Sequence, residues 1–520
     1  MQSNSYKWKV SILLVTVMFL LYGTLFSIHG VLKHSAFGTS YDLSIFTQVF
    51  WNIVHYGTLA NSLEGVSANI TFVNHLAVHF SPIFYFFAPI YYFFQDAQTL
   101  LILQSFALGS GVFPIYFLAK EKTGNAFLAI ALCVCYLLYL PLHFANHEDF
   151  HETVFAVPLF LWCLYCLENK GYKLFWCFLI LALLVKEDMA LSGTAIGLYI
   201  CTSKKEYKLG ASVIATSIIY FLLTLNFMSM FSGHRDFADW YSALIPPDHN
   251  SYLAILLTLV RYPIKVIIYI FADREKLAFL ANLFLPVLFL PFLNQFRAFI
   301  LLIPCLMVSL LANHSSMNLF DIHTHYAAPI IPFIFFLTIL GCTNINVQIR
   351  KFVLPGMLII TSFLFNYNSG LLFDANFTVL PKLDAKYCDL FRSAFLTKPD
   401  VKLAPHYNTL NAMIKQIPAT ASVRATGTII PHLANRRAVA YEGLPSKADN
   451  IDYILLDIRD INIKGSYMNT YLPHYLKLLH DNVYGVVAYE NNCLLLKRGY
   501  KITQNQETIS KLIKLGAKHD

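Results

Sequence analysis

Ionisable residues are sparse in this chain, and those able to do chemistry gather in a few short stretches. Asp42 stands in YDLSIFTQVFW, just beyond the first hydrophobic run. A carboxylate there could act as general base on an acceptor hydroxyl, or hold a divalent cation that orients a phosphate-linked donor. It could equally cap the helix that the spacing of Phe46, Val49, Phe50, Ile53 and Val54 predicts from Leu43 or Ser44. That helix reads as amphipathic, lying in the membrane interface with its apolar face down. His75 and His79 follow in the same segment, four residues apart.

Residues 147–151, HEDFH, form a literal HExxH. On a helix the two histidines would share a face and bind zinc, with Glu148 as the base of a metalloprotease. Against that, the run sits between two spans, no companion LDG or NxPxxDG stretch appears, and 18 histidines make a chance match credible. The milder reading is that Asp149, His151 and Glu152 line a polar cavity without metal. Lys186-Glu187-Asp188 interrupts an apolar run over 173–202, where charge is costly unless it faces a cavity or a partner. Lys186 could hold a lipid phosphate, and Glu187 or Asp188 a metal or a sugar hydroxyl; a solvated turn between short helices is the plainer alternative. His323 and His325 precede the next span and could meet the same cavity or simply sit at the headgroups. A divalent cation, if one is used, would fall to Asp42, Asp149 and His151.

The elements that must position these residues are membrane helices. The chain is 57% hydrophobic and 13% charged, with a mean hydropathy of +0.54; soluble domains carry about 25% charged residues. High counts of Phe (44) and Tyr (31) suit aromatic belts at many interfaces. The net charge of +8 does not point to nucleic acid, because the lysines sit in short loops between spans. Apolar runs occur near 10–29, 98–119, 125–142, 153–168, 173–202, 210–231, 276–293, 297–312, 326–343 and 352–367. They predict about eleven spans. The segments 80–94 and 252–271 carry prolines or cations and read as interfacial or partly inserted. With the N-terminus inside, lysine collects in the inner loops while histidine and acid collect outside, as the positive-inside rule asks.

From Phe373 the composition changes. Short strand-like and helical pieces alternate through 410–499 and end in a hairpin over Glu490-Asn491-Asn492, which predicts a small external α/β domain. Cys388 and Cys493 could pair there in an oxidising compartment.

Taken together and in this order, YDLSIFTQVFW, LAVHFSPIFYFFAPIYYFF, DFHETVFAVPLFLWCLY, LLVKEDMAL and HYAAPIIPF resemble the blocks of domain of unknown function 2079. That family of polytopic membrane proteins is grouped with the GT-C superfamily of membrane glycosyltransferases. The likeness spans nearly the whole chain. It implies a GT-C-like fold with an external active site, a sugar taken from a polyprenyl-phosphate carrier, and an acid in the first external loop, matched here by Asp42. The superfamily often has paired acids at this point; here Asp42 is flanked by Tyr41 and Leu43.

The expectation is therefore a mainly α, polytopic helical bundle over 1–370, with a first external loop at about 30–97 and an extracytoplasmic α/β domain over 371–520. It is placed in a prokaryotic cytoplasmic membrane as a hexosyl or pentosyl transferase. Asp42 is the catalytic candidate. Asp149, His151, Glu152, Lys186, Glu187 and Asp188 would line the donor and acceptor cavity, with His79 and His325 at its rim. A polyprenyl-phosphate-linked sugar and membrane lipid are the partners. The alternatives are a transporter or flippase with Lys186-Glu187-Asp188 as its ion site, and an intramembrane zinc protease built on HEDFH.

Overall fold

The structure is a computed structural model and describes residues 2–39, 41–65, 72–231, 238–244, 252–314, 319–369, 404–442, 450–458 and 466–516. Cys388 lies outside them. The chain divides into two units: Met1–His29, His79–Ile83 and Leu101–Phe395 form the first, and Gly30–Val78, Phe84–Leu100 and Leu396–Asp520 the second.

The first unit is helical. Among the described residues, five helices are long and apolar enough to cross a bilayer: Lys9–Ser35, Ala97–Thr123, Tyr207–Ser229, His325–Thr343 and Ile349–Asn366. A sixth is formed if Ala126–Leu137 and Leu140–His147, bent by 41°, count as one. This differs from the expected span count of about eleven, and the reason is local. The run 173–202 breaks at its charges into Tyr172–Leu183 and Met189–Tyr199, and 297–312 breaks before Ile303–Leu310 with Pro304 in its first turn. Helices of 8 to 12 residues fall short of the roughly 20 needed to cross unaided. The segment 252–271 likewise divides at Pro263 into helices of ten and nine residues.

The bend at 137–140 shows how such breaks are tolerated. Pro141 has no N–H to give to the carbonyl of Leu137, and the imidazole Nε2 of His143 reaches that oxygen instead, at 2.5 Å. Ile331–Thr343 runs through the interior with eleven buried residues, and Gly341 lets the Leu290 backbone carbonyl lie directly against it. Glu168 gathers two lysines from separate helix ends, Lys122 at 2.6 Å and Lys204 at 2.5 Å. These basic helix ends therefore meet at Glu168.

The second unit combines the polar segment after the first helix with the chain's C-terminal part. Its five-stranded sheet has the order β4-β3-β5-β7-β6, from β3 (Val423–Ala425), β4 (Val439–Tyr441), β5 (Tyr453–Asp457), β6 (Tyr484–Glu490) and β7 (Cys493–Arg498); the short pair β1 (Ala60–Asn61) and β2 (Val73–Asn74) stands apart. β3 runs parallel to both neighbours, and β5, β7 and β6 are antiparallel. The β6–β7 turn places Asn491 and Asn492 at φ 49° and 62°, left-handed values that Asn tolerates in a two-residue hairpin. Helices Ser466–His480 and Asn505–Gly516 cover the sheet through Tyr475, Leu479 and Leu512. His406 ties helix Ala404–Ile414 to the sheet by bonds to Asp457 (2.8 Å) and to the Asn491 carbonyl (2.9 Å).

Helix Tyr41–Tyr56 belongs to this unit and corrects two expectations. It begins before Asp42, so Asp42 lies in its first turn rather than capping it. Residues Leu43 through Phe50 are all buried, so protein surrounds the helix where one lipid-facing side was expected. Gln48 fixes it: its side-chain Nε2 donates to the carbonyl of Arg437 (2.8 Å), and its Oε1 accepts from the Ser62 amide (2.9 Å). The Tyr41 and Tyr441 rings pack at 5.0 Å. Helix Phe84–Phe93 leaves Phe86, Tyr92 and Phe93 exposed, as an aromatic segment at a membrane interface would.

Candidate functional site

Breaking the 172–199 run at Leu184–Asp188 turns three charged side chains inward. The Leu184 carbonyl accepts from the Ile83 amide at 3.0 Å, and the Glu187 carboxylate accepts from the Phe80 amide (2.8 Å) and lies 3.2 Å from His79 Nδ1. Lys186, 6% exposed, sets its ammonium 3.7 Å from Glu152 and 5.8 Å from the Tyr326 ring centroid. A small cavity of about 30 Å³ lies against these groups, lined by Thr153, Lys186, Asp188, Ser192, Cys305 and Tyr326 among others. That is room for a water or two. Among the described residues, Asp188 Oδ1 and Thr153 Oγ1 are buried without a hydrogen-bond partner. Buried polar atoms left unsatisfied are costly unless something comes to meet them.

The electrostatics follow from this arrangement. Burial pulls the Lys186 pKa down, but Asp188, Glu152 and Glu187 outweigh it and hold the ammonium charged. Burial works to raise Glu187, but His79 and Lys186 overcome it and keep the carboxyl below its ordinary range. Asp188 is pushed up, chiefly by burial and then by Glu187, with Lys186 opposing. One carboxylate is thus committed and its neighbour is the readier to take a proton.

A second cluster adjoins the first through Tyr326. The Glu148 carboxylate accepts from His325 Nδ1 (2.8 Å) and from the His325 backbone amide. The His325 and His151 rings stack at 3.5 Å with 14° between their planes, and His151 Nδ1 donates to the Asp149 carbonyl at 2.9 Å. Burial acts to raise the Glu148 pKa, and His325 more than reverses it, to about 2. The His151 amide is anchored on Gln104 Oε1 at 3.1 Å.

The HEDFH stretch does not form the helix a zinc protease needs. Helix Leu140–His147 ends at its first histidine, and residues 148–151 are irregular. His147 lies 2.7 Å from His29, while His151 stacks on His325. The two histidines are not one helical turn apart on a shared face.

His79, Asp149, His151, Glu152, Lys186, Glu187, Asp188 and His325 all lie in the first unit; Asp42 lies in the second. The sequence reading did not single out Thr153, Tyr326 or Ser192, whose residue types carry no signal of their own. Nor did it pair Glu148 with His325, across 177 residues. Tyr326 could have been suspected from its place beside His325.

Fold and site together define a polytopic membrane protein that keeps charged side chains around a break in its helices. The chain belongs to the family described as predicted membrane protein (DUF2079), which it matches over residues 33–495. No curated protein matches it. Among solved structures it is similar to the crystal structure of ArnT from Cupriavidus metallidurans in the apo state, with 10% identity and a TM-score of 0.49, over 95% of this chain and 98% of that one.

Proposed function

We propose that the protein is a GT-C-like glycosyltransferase that moves a hexosyl or pentosyl group from a polyprenyl-phosphate donor to an acceptor at the outer face of a prokaryotic cytoplasmic membrane. The observation that carries this reading is the buried Lys186 beside a small cavity lined also by Asp188 and Thr153, each of which keeps a buried oxygen without a hydrogen-bond partner. A phosphate head needs a cation and sugar hydroxyls need acceptors, and the carrier tail stays in lipid. The sequence resemblance supplies the rest: Asp42 takes the acceptor proton as the acceptor oxygen attacks the anomeric carbon, and the carrier phosphate leaves with the bonding electrons. Glu152 and Glu187 hold Lys186 and His79 in place; Asp149, His151 and His325 do not line the small cavity itself and would meet the donor only once its head has entered. Because the cavity holds only a water or two, a donor head must displace side chains to enter. The basic helix ends would face the cytoplasm and the tail domain the outside, where it would select the acceptor.

The test is binding of labelled polyprenyl-phosphate hexoses and pentoses to the purified chain in detergent. Wild type should retain one of them, Lys186→Met should bind it at least about tenfold more weakly, and Lys186→Arg should fall between. Equal binding by wild type and Lys186→Met for every donor, or no binding at all, would remove the proposal's support.

A further inference from the structure

We infer that the helix pair Tyr252–Arg261 and Pro263–Phe271 is a docking surface for an anionic phospholipid. Its phosphate is held by Arg261 and Lys265, and its acyl chains lie along the apolar row beside them. Neither helix lines the cavity at Lys186, and the inference does not depend on sugar transfer.

Pro263 has no N–H to continue the first helix, and Tyr262 before it leaves helical geometry at φ −131° and ψ 51°. Helices of ten and nine residues are too short to cross a bilayer unaided, but they can lie along its surface. Their outward side suits that position. Val260 (82% exposed), Ile264 (71%) and Ile268 stand four residues apart, with Leu257 and Phe271 exposed on either side of them, while Val266 and Ile270 turn inward. One residue along from Val260 and Ile264, Arg261 and Lys265 form a second exposed row. Tyr262 is exposed between them, and Lys265 Nζ lies 4.7 Å from its ring centroid. Aromatic and basic side chains set together in this way mark the headgroup level of a membrane protein.

What selects an anionic lipid is the charge. Among the described residues neither Arg261 nor Lys265 has a carboxylate partner. The nearest acids along the chain, Asp273 and Glu275, lie 2.9 and 3.4 Å from the nitrogens of His314 instead. Two cations four residues apart with no acid to neutralise them match a phosphodiester that carries net negative charge; guanidinium and ammonium can both donate to its oxygens. A free anion would satisfy the cations and leave the apolar row in water. A second copy of the chain, docked symmetrically through this face, would bring like-charged rows together. A lipid answers both rows at once.

The test uses the full chain in nanodiscs of phosphatidylglycerol and phosphatidylcholine in equal parts. A photoactivatable analogue of each lipid is added in turn, and the labelled peptides are mapped by mass spectrometry. Phosphatidylglycerol should label residues 257–271 at least about tenfold more than phosphatidylcholine at low salt, and added salt should narrow the difference. The double change Arg261→Gln and Lys265→Gln should bring the two lipids level at wild-type melting point, while Lys186→Met should keep the preference. Inorganic phosphate should not compete. The surface is overturned if both lipids label these residues equally in wild type, if the preferred labelling maps elsewhere, or if inorganic phosphate abolishes it. It is overturned equally if the double variant keeps the preference. The comparison of the two lipids on wild type stands whether or not that variant folds.

Discussion

Lys186 is a cation removed from water, offset by Glu152 at 3.7 Å and by the neighbouring acids of its own turn. Such a group is costly to bury, which makes its replacement informative. Neutral Lys186→Met should raise the donor KM at least about tenfold, whereas Asp188→Asn, which keeps size and removes charge, should alter KM by less than the lysine change. Steady-state kinetics on the two variants separates them, and an unchanged KM in Lys186→Met would take Lys186 out of the phosphate's path. Much of this site was visible in the sequence, because three charges in an apolar run have few explanations. What was hidden is the partnership of Glu148 with His325, which joins residues from distant segments and leaves no spacing to read. HEDFH misled in the opposite way. Its spacing is right for a helix, but the helix stops at His147.

At the scale of elements, close approach of backbones is the dominant device. Gly341 on Ile331–Thr343 meets the Leu290 carbonyl where a Cβ would collide, and small residues at such crossings let membrane helices touch. Gly341→Ala should cost about 2–4 kcal/mol, seen as a lower melting point of the detergent-purified chain; an unchanged melting point would show that the crossing can relax. Gln48→Ala removes a buried side chain that bonds the Arg437 carbonyl and the Ser62 amide, at about 1–3 kcal/mol. Faster hydrogen exchange confined to helix Tyr41–Tyr56 and β4 is the expected sign, and uniform exchange would count against the stitching role. The tail strands were legible because β-branched and aromatic runs alternate with turn residues, and the Asn491-Asn492 turn lies where Glu490-Asn-Asn marked it. The burial of Leu43 through Phe50 was not legible. Its cause is the C-terminal half of the chain, supplying Arg436, Arg437 and Val439 as partners for Gln48 and Ser62.

Over the whole molecule, hydrophobicity declares a membrane protein at once, but among the described residues several apolar runs interrupted by prolines and charges fold as helices too short to cross unaided, so the count of about eleven spans is not confirmed. Stability should also respond to pH through the sheet domain. Glu442 is buried beside β4, and burial raises its carboxyl pKa from 4.5 to about 8, with Arg424 opposing. The unfolded chain releases that proton near pH 4.5 and the folded chain only near 8. Stability from this group is therefore greatest at or below the unfolded value and falls as pH rises between the two. Glu442→Gln should match wild type near pH 5 and be more stable by a few kcal/mol, at about the order that shift implies, near pH 8. Parallel thermal melts across pH 5–9 check it, and curves that stay parallel would mean Glu442 is ionised in the fold.

The central claim is sugar transfer with Asp42 as the group that accepts the acceptor's proton. It is tested most directly by giving the purified chain in detergent a labelled polyprenyl-phosphate sugar and acceptor lipids, and measuring release of carrier phosphate for wild type and Asp42→Asn. The account predicts turnover by wild type and a loss of at least about 100-fold in the variant, with donor binding retained. Equal release by both proteins would place the reaction elsewhere. Donor carried intact across a vesicle membrane with no phosphate released would contradict the transferase altogether and make the protein a transporter.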